Sequence, residues 1–331
     1  MAGEGAAGPG ALLTMRLGPG TAALLLAAGC SGLPAREDLV KAAARTDWAR
    51  WPAGAVVGEV SAVDVDSHGH VFVLHRPGRD WVEPFPSEPI AAPVVAMFDA
   101  SGRLLTQWGA GETVMPHGLS VAADDTIWIT DAQREQLLHF AHDGALVETR
   151  GERGVAGADA AHFGHPTDVA ATPQALYVAD GYRNHRVLRF GDAVTQWGEN
   201  NGTPAGLSIP HSVAVSGRRV IVADREHRRI TVHDESGRLI RIIPTPGHPY
   251  AAKPLPDGRI LSAEGRDGSD REGTVLRLWS GEGRALAALD VAPPGATRAH
   301  DLAVGADGTI YIADVAGHRL LTLPLSRLTK D

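Results

Sequence analysis

Four histidines recur along the chain at nearly equal intervals. They are His117, His165, His211 and His300, separated by 48, 46 and 89 residues, and the last gap equals two intervals. The chain has 15 histidines but a single cysteine, Cys30, which excludes an internal disulfide and any multi-thiolate metal site. Imidazole is therefore the expected ligand for any transition metal that the protein binds.

The same strand pattern follows each of these histidines. An apolar strand leads into a tight turn, often Asp-Gly, then into a second strand that commonly ends in Ala-Asp, and then into a third strand. Two degenerate copies begin at Ser61 and Tyr250. Six units of about 47 residues result, the length of a four-stranded propeller blade. The units resemble NHL repeats and predict an all-β, six-bladed β-propeller over residues 55–331. A parallel solenoid, the alternative, fits the alternating strands and tight turns less well.

The repeat also predicts where these side chains meet. Counting seven residues back from each turn gives one equivalent position per blade, at the start of the strand that lines the central channel. This position holds Ser61, His117, His165, His211, Tyr250 and His300. The antiparallel second strand returns to the same rim, where it brings Arg76, Tyr182 and Arg225.

Three of the four histidines alternate around the ring. His117, His211 and His300 fall in blades two, four and six, and alternate blades of six are related by about 120°. Three histidines with an open fourth position are the pattern of a catalytic zinc. His165, in blade three, is expected to be a fourth ligand, a hydrogen-bond partner or channel lining. The alternative to a metal site is a set of ordinary buried polar histidines.

A second possible cation site lies one layer deeper in the channel. Asp301 follows His300, and Val63 and Leu119 each lie two residues after the equivalent position of their blade. A carboxylate with backbone carbonyls suits a hard cation such as Ca²⁺. The alternative is an aspartate that binds water in the channel.

The N-terminal residues predict export. An apolar run of nine residues precedes Cys30; it is too short to span a bilayer but suits a signal peptide, with Arg16 as its positive charge if translation starts at Met15. Leu26–Cys30 resembles a bacterial lipobox, so we expect Cys30 to be lipidated and the protein to lie at the periplasmic or cell-surface side of the envelope. A short buried helix with an incidental cysteine is the alternative. The expected division is a leader over 1–29, a tether over 30–54 and the propeller over 55–331.

The charge balance excludes one class of partner. Lys and Arg number 31 and Asp and Glu 39, which gives a net charge of −8, whereas duplex nucleic-acid binders carry a basic surface. We expect no nucleic acid, a small-molecule or peptide substrate, membrane contact through the lipid alone, and a monomer.

The sequence resembles one family of enzymes in particular, the peptidyl-α-hydroxyglycine α-amidating lyases, which release glyoxylate and leave a peptide amide. The stretches that carry the resemblance occur in order along the propeller: Met115–Leu119, Pro166–Ala170, Asp180–Asn184, Thr195–Glu199, Pro210–Ser212, Ala223–Glu226 and His300–Asp301.

The resemblance implies a role for each site residue. Carried over position by position, it gives zinc ligands at His117, His211 and His300, a catalytic tyrosine at Tyr182, a catalytic arginine at Arg76 and a substrate-binding arginine at Arg225. It places a structural calcium on the carbonyls of Val63 and Leu119 and the side chain of Asp301. The implied reaction breaks the carbon–nitrogen bond of an N-acyl or peptidyl α-hydroxyglycine, with zinc as a Lewis acid and Tyr182 as the base.

The sequence also departs from that family. Arg183 follows Tyr182 where the animal enzymes have a disulfide cysteine, Arg298-Ala299 precedes His300 where Met-Pro is usual, and His165 stands in place of a glutamine. No copper monooxygenase domain is evident in these residues, so we expect the α-hydroxyglycine to be made by another protein.

Two other functions remain as alternatives. One is a non-catalytic propeller binding module of the bacterial cell envelope, which Arg76 and Tyr182 beside three histidines disfavour because a structural metal site needs neither. The other is a calcium-dependent lactonase, which would need a carboxylate-rich site where this chain offers imidazoles. A serine hydrolase is disfavoured because Ser61 and Ser212 lack a nucleophile-elbow context.

Overall fold

Twenty-four strands arranged in six sheets, with one short 3₁₀ turn, are the regular elements of the described chain. The structure is a computed structural model, and it describes residues 39–199, 201–265 and 273–329. Each sheet is an antiparallel meander in sequence order, apart from the pairing of the N-terminal strand. The predicted all-β, six-bladed β-propeller is confirmed.

The strands fall into blades as follows. Blade one contains β2 (Glu59–Val65), β3 (Val71–Arg76), β4 (Val95–Phe98) and β5 (Leu104–Trp108), and blade two contains β6 (Pro116–Val121), β7 (Ile127–Asp131), β8 (Gln136–Phe140) and β9 (Leu146–Arg150). Blade three contains β10 (Asp168–Ala171), β11 (Leu176–Asp180), β12 (Arg186–Phe190) and β13 (Val194–Trp197), and blade four contains β14 (Pro210–Ser216), β15 (Arg219–Asp224), β16 (Arg229–Asp234) and β17 (Leu239–Pro244). Blade five contains β18 (Pro249–Pro254), β19 (Ile260–Glu264), β20 (Val275–Trp279) and β21 (Ala285–Val291), and blade six contains β22 (Ala299–Val304), β23 (Thr309–Asp314) and β24 (Arg319–Pro324), followed by a 3₁₀ turn at Leu325–Arg327.

The hydrophobic core lies between neighbouring blades. One cluster joins Phe72 and Leu74 of blade one to Ile127, Ile129 and Phe140 of blade two, all with no exposed surface. The second strand of a blade is covered on both faces, so β7 and β11 are buried along their whole length. The outer strand β9 is mostly exposed on both faces. This gradient holds the first strands rigidly around the channel, where the candidate site lies.

Part of the expected tether belongs to the propeller. The strand β1 (Val40–Ala42) pairs in parallel with β21, and Arg45 exchanges two backbone hydrogen bonds with Thr322 of β24, at 2.8 and 3.0 Å. Trp48 is buried and packs against Phe98 and Tyr311. The segment differs from the expected tether because it covers two open edges: β1 adds a fifth strand to blade five, and Arg45 pairs with the outer strand of the three-stranded blade six.

The remaining N-terminal predictions concern another part of the chain. The predicted leader and the predicted lipidation site Cys30 lie outside the described residues. Among the residues that are described, no helix has the length and apolar character needed to cross a membrane.

Candidate metal centre and active-site cleft

The three alternating histidines meet at one point of the channel. His117, His211 and His300 each offer one ligand nitrogen, and these atoms all lie within 4.8 Å of one another. The ring centroids are 4.5 to 4.9 Å apart, and all three residues are buried. Each histidine stands at the start of the first strand of its blade, as the repeat predicts.

Backbone carbonyls fix the orientation of each imidazole. Nδ1 lies 2.7 Å from the Thr167 carbonyl oxygen in His117, 2.7 Å from that of Tyr250 in His211 and 2.6 Å from that of Ser61 in His300. A carbonyl oxygen can only accept, so each Nδ1 carries the proton and each Nε2 carries a lone pair. In every case the carbonyl belongs to the next blade. The hydrogen bond from Nδ1 therefore joins two blades and also turns the lone pair of Nε2 toward the axis of the channel. This is how metal-ligating histidines are usually held.

The electrostatics keep these rings neutral. Burial, with a contribution from Arg76, lowers the pKa of His117 to about 3, and burial together with neighbouring positive groups holds the pKa of His211 and of His300 well below the usual value. Nε2 of His211 is buried and has no hydrogen-bond partner within the described part of the chain. Such an atom costs about 1–3 kcal/mol unless something binds it. Three neutral imidazoles with an orphaned, inward-facing nitrogen fit a zinc ion.

His165 lies apart from the three-histidine group. Strand pairing sets Asp168 opposite Ala179 and Asp301 opposite Ala313, so the position equivalent to His300 in blade three is Thr167. The connection between the paired residues Ala171 and Leu176 has one residue fewer than that between Val304 and Ile310, and it has no Asp-Gly pair to serve as a fixed point for the count. His165 instead places Nε2 3.3 Å from Oε1 of Glu135, to which Arg183 also binds. His165 therefore contacts Glu135 at the rim, and its role in the site stays a prediction.

Tyr182 links the metal centre to the substrate rim. Its hydroxyl lies 3.1 Å from Nε2 of His117, and it accepts a hydrogen bond of 3.2 Å from Nη1 of Arg225. The Arg225 guanidinium also lies over the rings of Tyr182 and Tyr250, at 5.2 and 5.3 Å, and its Nε donates to Glu226. The predicted tyrosine and rim arginine are thus brought together beside the histidines.

Arg76 is buried at the same rim and held from two sides. Its Nε donates to Oε2 of Glu59 at 3.0 Å, Nη2 makes a further short contact with the same oxygen, and Nη1 donates to the Pro116 carbonyl at 3.1 Å. The backbone N–H of Trp81 also donates to Oε2 of Glu59. The Arg76 guanidinium lies 5.3 Å from the centre of the Trp81 ring. Glu59 therefore fixes both the arginine and the loop above it.

A cavity of about 280 Å³ opens at the rim of the channel beside His300. It is lined by Glu59, Arg76, Trp81, Tyr182, Arg225, Tyr250, Arg298, His300 and Val315. Trp81 lies 5.2 Å from the rings of both His117 and Tyr182 and so forms a wall of the site.

Three of these residues are not predicted by the repeat. Glu59 and Trp81 lie outside the repeated positions, and Arg298 was noted for its departure from the family pattern without being given a place in the site. A usable signal was the long connection between β3 and β4, residues 77–94, because an insertion rich in proline and aromatic residues at the rim of a regular repeat commonly carries function.

The predicted calcium ligands lie beside a lysine in the channel. The Lys253 ammonium lies 3.3 Å from Oδ1 of Asp301 and 3.8 Å from Oδ2 of Asp168, inside the channel. Asp301 also accepts the N–H of Val63 at 3.2 Å, so Val63 meets it through its nitrogen. Leu119 is buried on the neighbouring first strand. Apart from its ion pair with Lys253, Oδ1 of Asp301 is buried and has no hydrogen-bond partner among the described residues, and the calcium site at Val63, Leu119 and Asp301 stays a prediction.

Comparison with known proteins shows relatives along most of the chain. No family model matches the chain. It is 31% identical over 317 residues to the peptidyl-glycine alpha-amidating monooxygenase of Mus musculus, which covers 84% of this chain and 32% of the mouse protein, so the chain spans about a third of that relative. It is 28% identical over 297 residues to the probable peptidyl-alpha-hydroxyglycine alpha-amidating lyase of Caenorhabditis elegans, with 81% of this chain and 83% of that protein covered.

Solved structures support the fold alone. A gluconolactonase from Xanthomonas campestris matches with a TM-score of 0.59 at 15% identity, covering 81% of this chain and 87% of that one. A virginiamycin B lyase from Staphylococcus aureus matches with a TM-score of 0.54 at 12% identity, covering 82% and 85%. The sequence comparisons are the more specific, and they confirm that the chain is related to the family of peptidyl-α-hydroxyglycine α-amidating lyases.

Proposed function

We propose that the protein is a zinc-dependent lyase that cleaves an N-acyl or peptidyl α-hydroxyglycine to an amide and glyoxylate. The observation that carries the proposal is the position of Tyr182, whose hydroxyl lies 3.1 Å from a ligand nitrogen of the metal centre and 3.2 Å from Arg225. A structural metal site needs no such phenol. The name of the nematode relative supports the same activity.

The reaction needs one proton moved and one bond broken. The carbinol hydroxyl loses its proton, its oxygen forms a carbonyl with the same carbon, and the carbon–nitrogen bond breaks as the amide nitrogen leaves and takes up a proton. Zinc held by His117, His211 and His300 supplies Lewis acidity that makes such a hydroxyl easier to deprotonate. The phenolate form of Tyr182 would be placed to receive that proton, becoming a phenol, and to return it to the departing nitrogen.

The rim arginines suit the rest of the substrate. An α-hydroxyglycine ends in a carboxylate, and glyoxylate keeps it, so the cleft must bind an anion before and after the reaction. Arg225 and Arg298 line the cavity, and guanidinium groups bind carboxylates through paired hydrogen bonds. Arg76, buried and held by Glu59, adds a fixed positive charge beside the reacting centre.

The experiment that tests this function identifies the products. Zinc-loaded protein should convert an N-acyl α-hydroxyglycine to equal amounts of the amide and glyoxylate. A simple lactone, offered in parallel, should remain intact. Equal release of both products supports the lyase. Stoichiometric zinc with no glyoxylate would favour the non-catalytic binding module. Opening of the lactone would favour the calcium-dependent lactonase.

We also propose that the chain is exported and held at the bacterial envelope by a lipid on Cys30. The support is the lipobox-like stretch that ends at this residue. A Cys30→Ser variant should be released from the membrane fraction, and one that stays membrane-bound would contradict the proposal. The cleft is compatible with a small-molecule or peptide substrate, and a monomer is sufficient for it because the site residues come from one chain.

A further inference from the structure

A second group of histidines lies at the other end of the strands from the three-histidine centre. Asp66, His68 and His70 belong to the turn between β2 and β3 of blade one, and His142 belongs to the turn between β8 and β9 of blade two. Each offers one ligand atom, and all four atoms lie within 4.8 Å of one another. The proposed lyase activity makes no use of these residues.

One carboxylate oxygen stands at the centre of this group. Oδ2 of Asp66 lies 2.8 Å from Nδ1 of His70, 2.9 Å from Nε2 of His142 and 3.8 Å from Nδ1 of His68. The other oxygen of Asp66 accepts the backbone N–H groups of His68 and His70, at 2.9 and 2.7 Å. The carboxylate is therefore fixed in place by its Oδ1 atom, and its Oδ2 atom faces the three imidazoles.

The group is both rigid and open to solvent. The Asp66 side chain is fully buried, whereas the side chains of His68, His70 and His142 are 64%, 28% and 37% exposed. Two backbone hydrogen bonds close the turn, from the N–H of Asp66 to the His70 carbonyl and from that of Gly69 to the Asp66 carbonyl. Gly69, at φ 82°, has the backbone conformation that this tight turn requires. An ion can thus reach preset ligands from the solvent.

We propose that Asp66, His68, His70 and His142 form a second metal site, which binds Zn²⁺ or a similar first-row divalent ion. Three imidazoles and one carboxylate suit borderline metals; Ca²⁺ and Mg²⁺ prefer oxygen ligands. Binding displaces the protons that the histidines now share with Asp66. Because His142 comes from blade two and the other three ligands from blade one, the ion clamps two blades together.

A neighbouring aspartate competes for one of the ligands. Oδ2 of Asp125 lies 3.3 Å from Nδ1 of His68, and it also accepts the hydroxyl of Ser67 at 2.7 Å. His68 is the most exposed of the three imidazoles and needs the largest movement to join the group. We expect Asp125→Asn to leave the site able to bind zinc, because Asp125 is outside the group of four.

Metal binding to purified full-length protein tests this site. Chelator-treated wild type should take up two equivalents of Zn²⁺, and a His68→Ala/His142→Asn variant should take up one and keep its glyoxylate release. Added zinc should raise the melting temperature of the wild type by more than that of the variant. Equal zinc uptake by the two proteins would overturn the proposal.

A cobalt measurement separates this site from the catalytic one. In a His211→Ala background the three-histidine centre is impaired, so added Co²⁺ should give a visible absorption band from the second site. The band should vanish when His142→Asn is added. Its persistence in the double variant would also overturn the proposal, whereas failure of the lyase assay alone would leave this result unaffected. The melting temperature without metal checks that both variants fold.

Discussion

At the scale of single residues, the metal centre depends on which ring nitrogen carries a proton. The repeat predicts which histidines face the channel, since they begin equivalent strands. It does not predict their tautomer, because the carbonyls that accept from His117, His211 and His300 come from residues 50, 39 and 239 positions away. The contact of Tyr182 with His117 likewise depends on a turn of the next blade.

Replacing Tyr182 tests the proposed base. Tyr182→Phe removes the hydroxyl while keeping the ring, so the turnover number should fall by about 10²- to 10⁴-fold, the usual contribution of a general base, with zinc content unchanged. The matched control is Tyr177→Phe, because that hydroxyl contacts Arg189 on blade three, away from the cleft. Turnover of Tyr182→Phe within twofold of the wild type would remove Tyr182 from the mechanism.

Arg298 lines the cleft at a position where the family resemblance leads us to expect methionine. If it helps to bind the substrate carboxylate, Arg298→Met should raise KM by about tenfold, the effect of losing roughly 1.4 kcal/mol of charged hydrogen bonding, with little change in kcat. Steady-state kinetics measure both constants. Arg218→Met, whose side chain is 89% exposed on blade four, should change neither. An unchanged KM for Arg298→Met would contradict this role.

At the scale of strands and turns, position along the repeat was predicted well except where a turn changed length. Five of the six equivalent positions were placed correctly, and the error at His165 arose because the blade-three turn has no Asp-Gly pair from which to count. Hydrogen-bond register, which depends on pairing with the second strand, identifies Thr167 instead. The repeat does not predict the channel lysine, because the ion pair between Lys253 and Asp301 joins residues of two different blades, five and six.

The channel lysine should stabilise the propeller in place of a calcium ion. Lys253→Met leaves the buried carboxylates of Asp301 and Asp168 without their cation, so the free energy of unfolding should fall by about 3–5 kcal/mol. Denaturant unfolding measures this, and Lys41→Met, at an exposed position, is the control. With zinc held constant, added Ca²⁺ should leave the melting temperature of the wild type unchanged. A rise on adding Ca²⁺ would instead support the predicted calcium site.

A buried histidine in β3 should make stability depend on pH. Burial lowers the pKa of His75 to about 4, and neither ring nitrogen has a partner among the described residues. The unfolded chain, with a pKa of about 6.5, binds this proton first, so stability is full above pH 6.5 and falls as the pH drops toward 4. The loss should amount to about 3 kcal/mol below pH 4.

His75→Phe isolates this contribution, since phenylalanine cannot titrate. Denaturant unfolding of both proteins at several pH values from 8 to 4 should show a smaller loss of stability for the variant. Parallel curves for the two proteins would show that His75 does not titrate as its burial implies.

At the scale of the whole molecule, the six-bladed repeat brings three histidines together, one from every second blade. Alternate blades deliver one histidine each to the axis, and the intervening blades supply the carbonyls that orient them. The period of the repeat was sufficient to predict the ring. It could not predict how the ring closes, because residues 39–51 carry no repeat. Their place follows from the outer edges of blades five and six, where β1 pairs with β21 and Arg45 pairs with Thr322.

The most direct test of the account is a zinc titration of the metal-free protein, followed by release of glyoxylate from an N-acyl α-hydroxyglycine. The second-site variant His68→Ala/His142→Asn is the best material, because its remaining site is the three-histidine centre. Activity should rise with zinc and saturate at one equivalent per chain, and a further His211→Ala substitution should abolish it at every zinc concentration. Glyoxylate release that is equally fast without zinc, or that survives His211→Ala, would contradict the account.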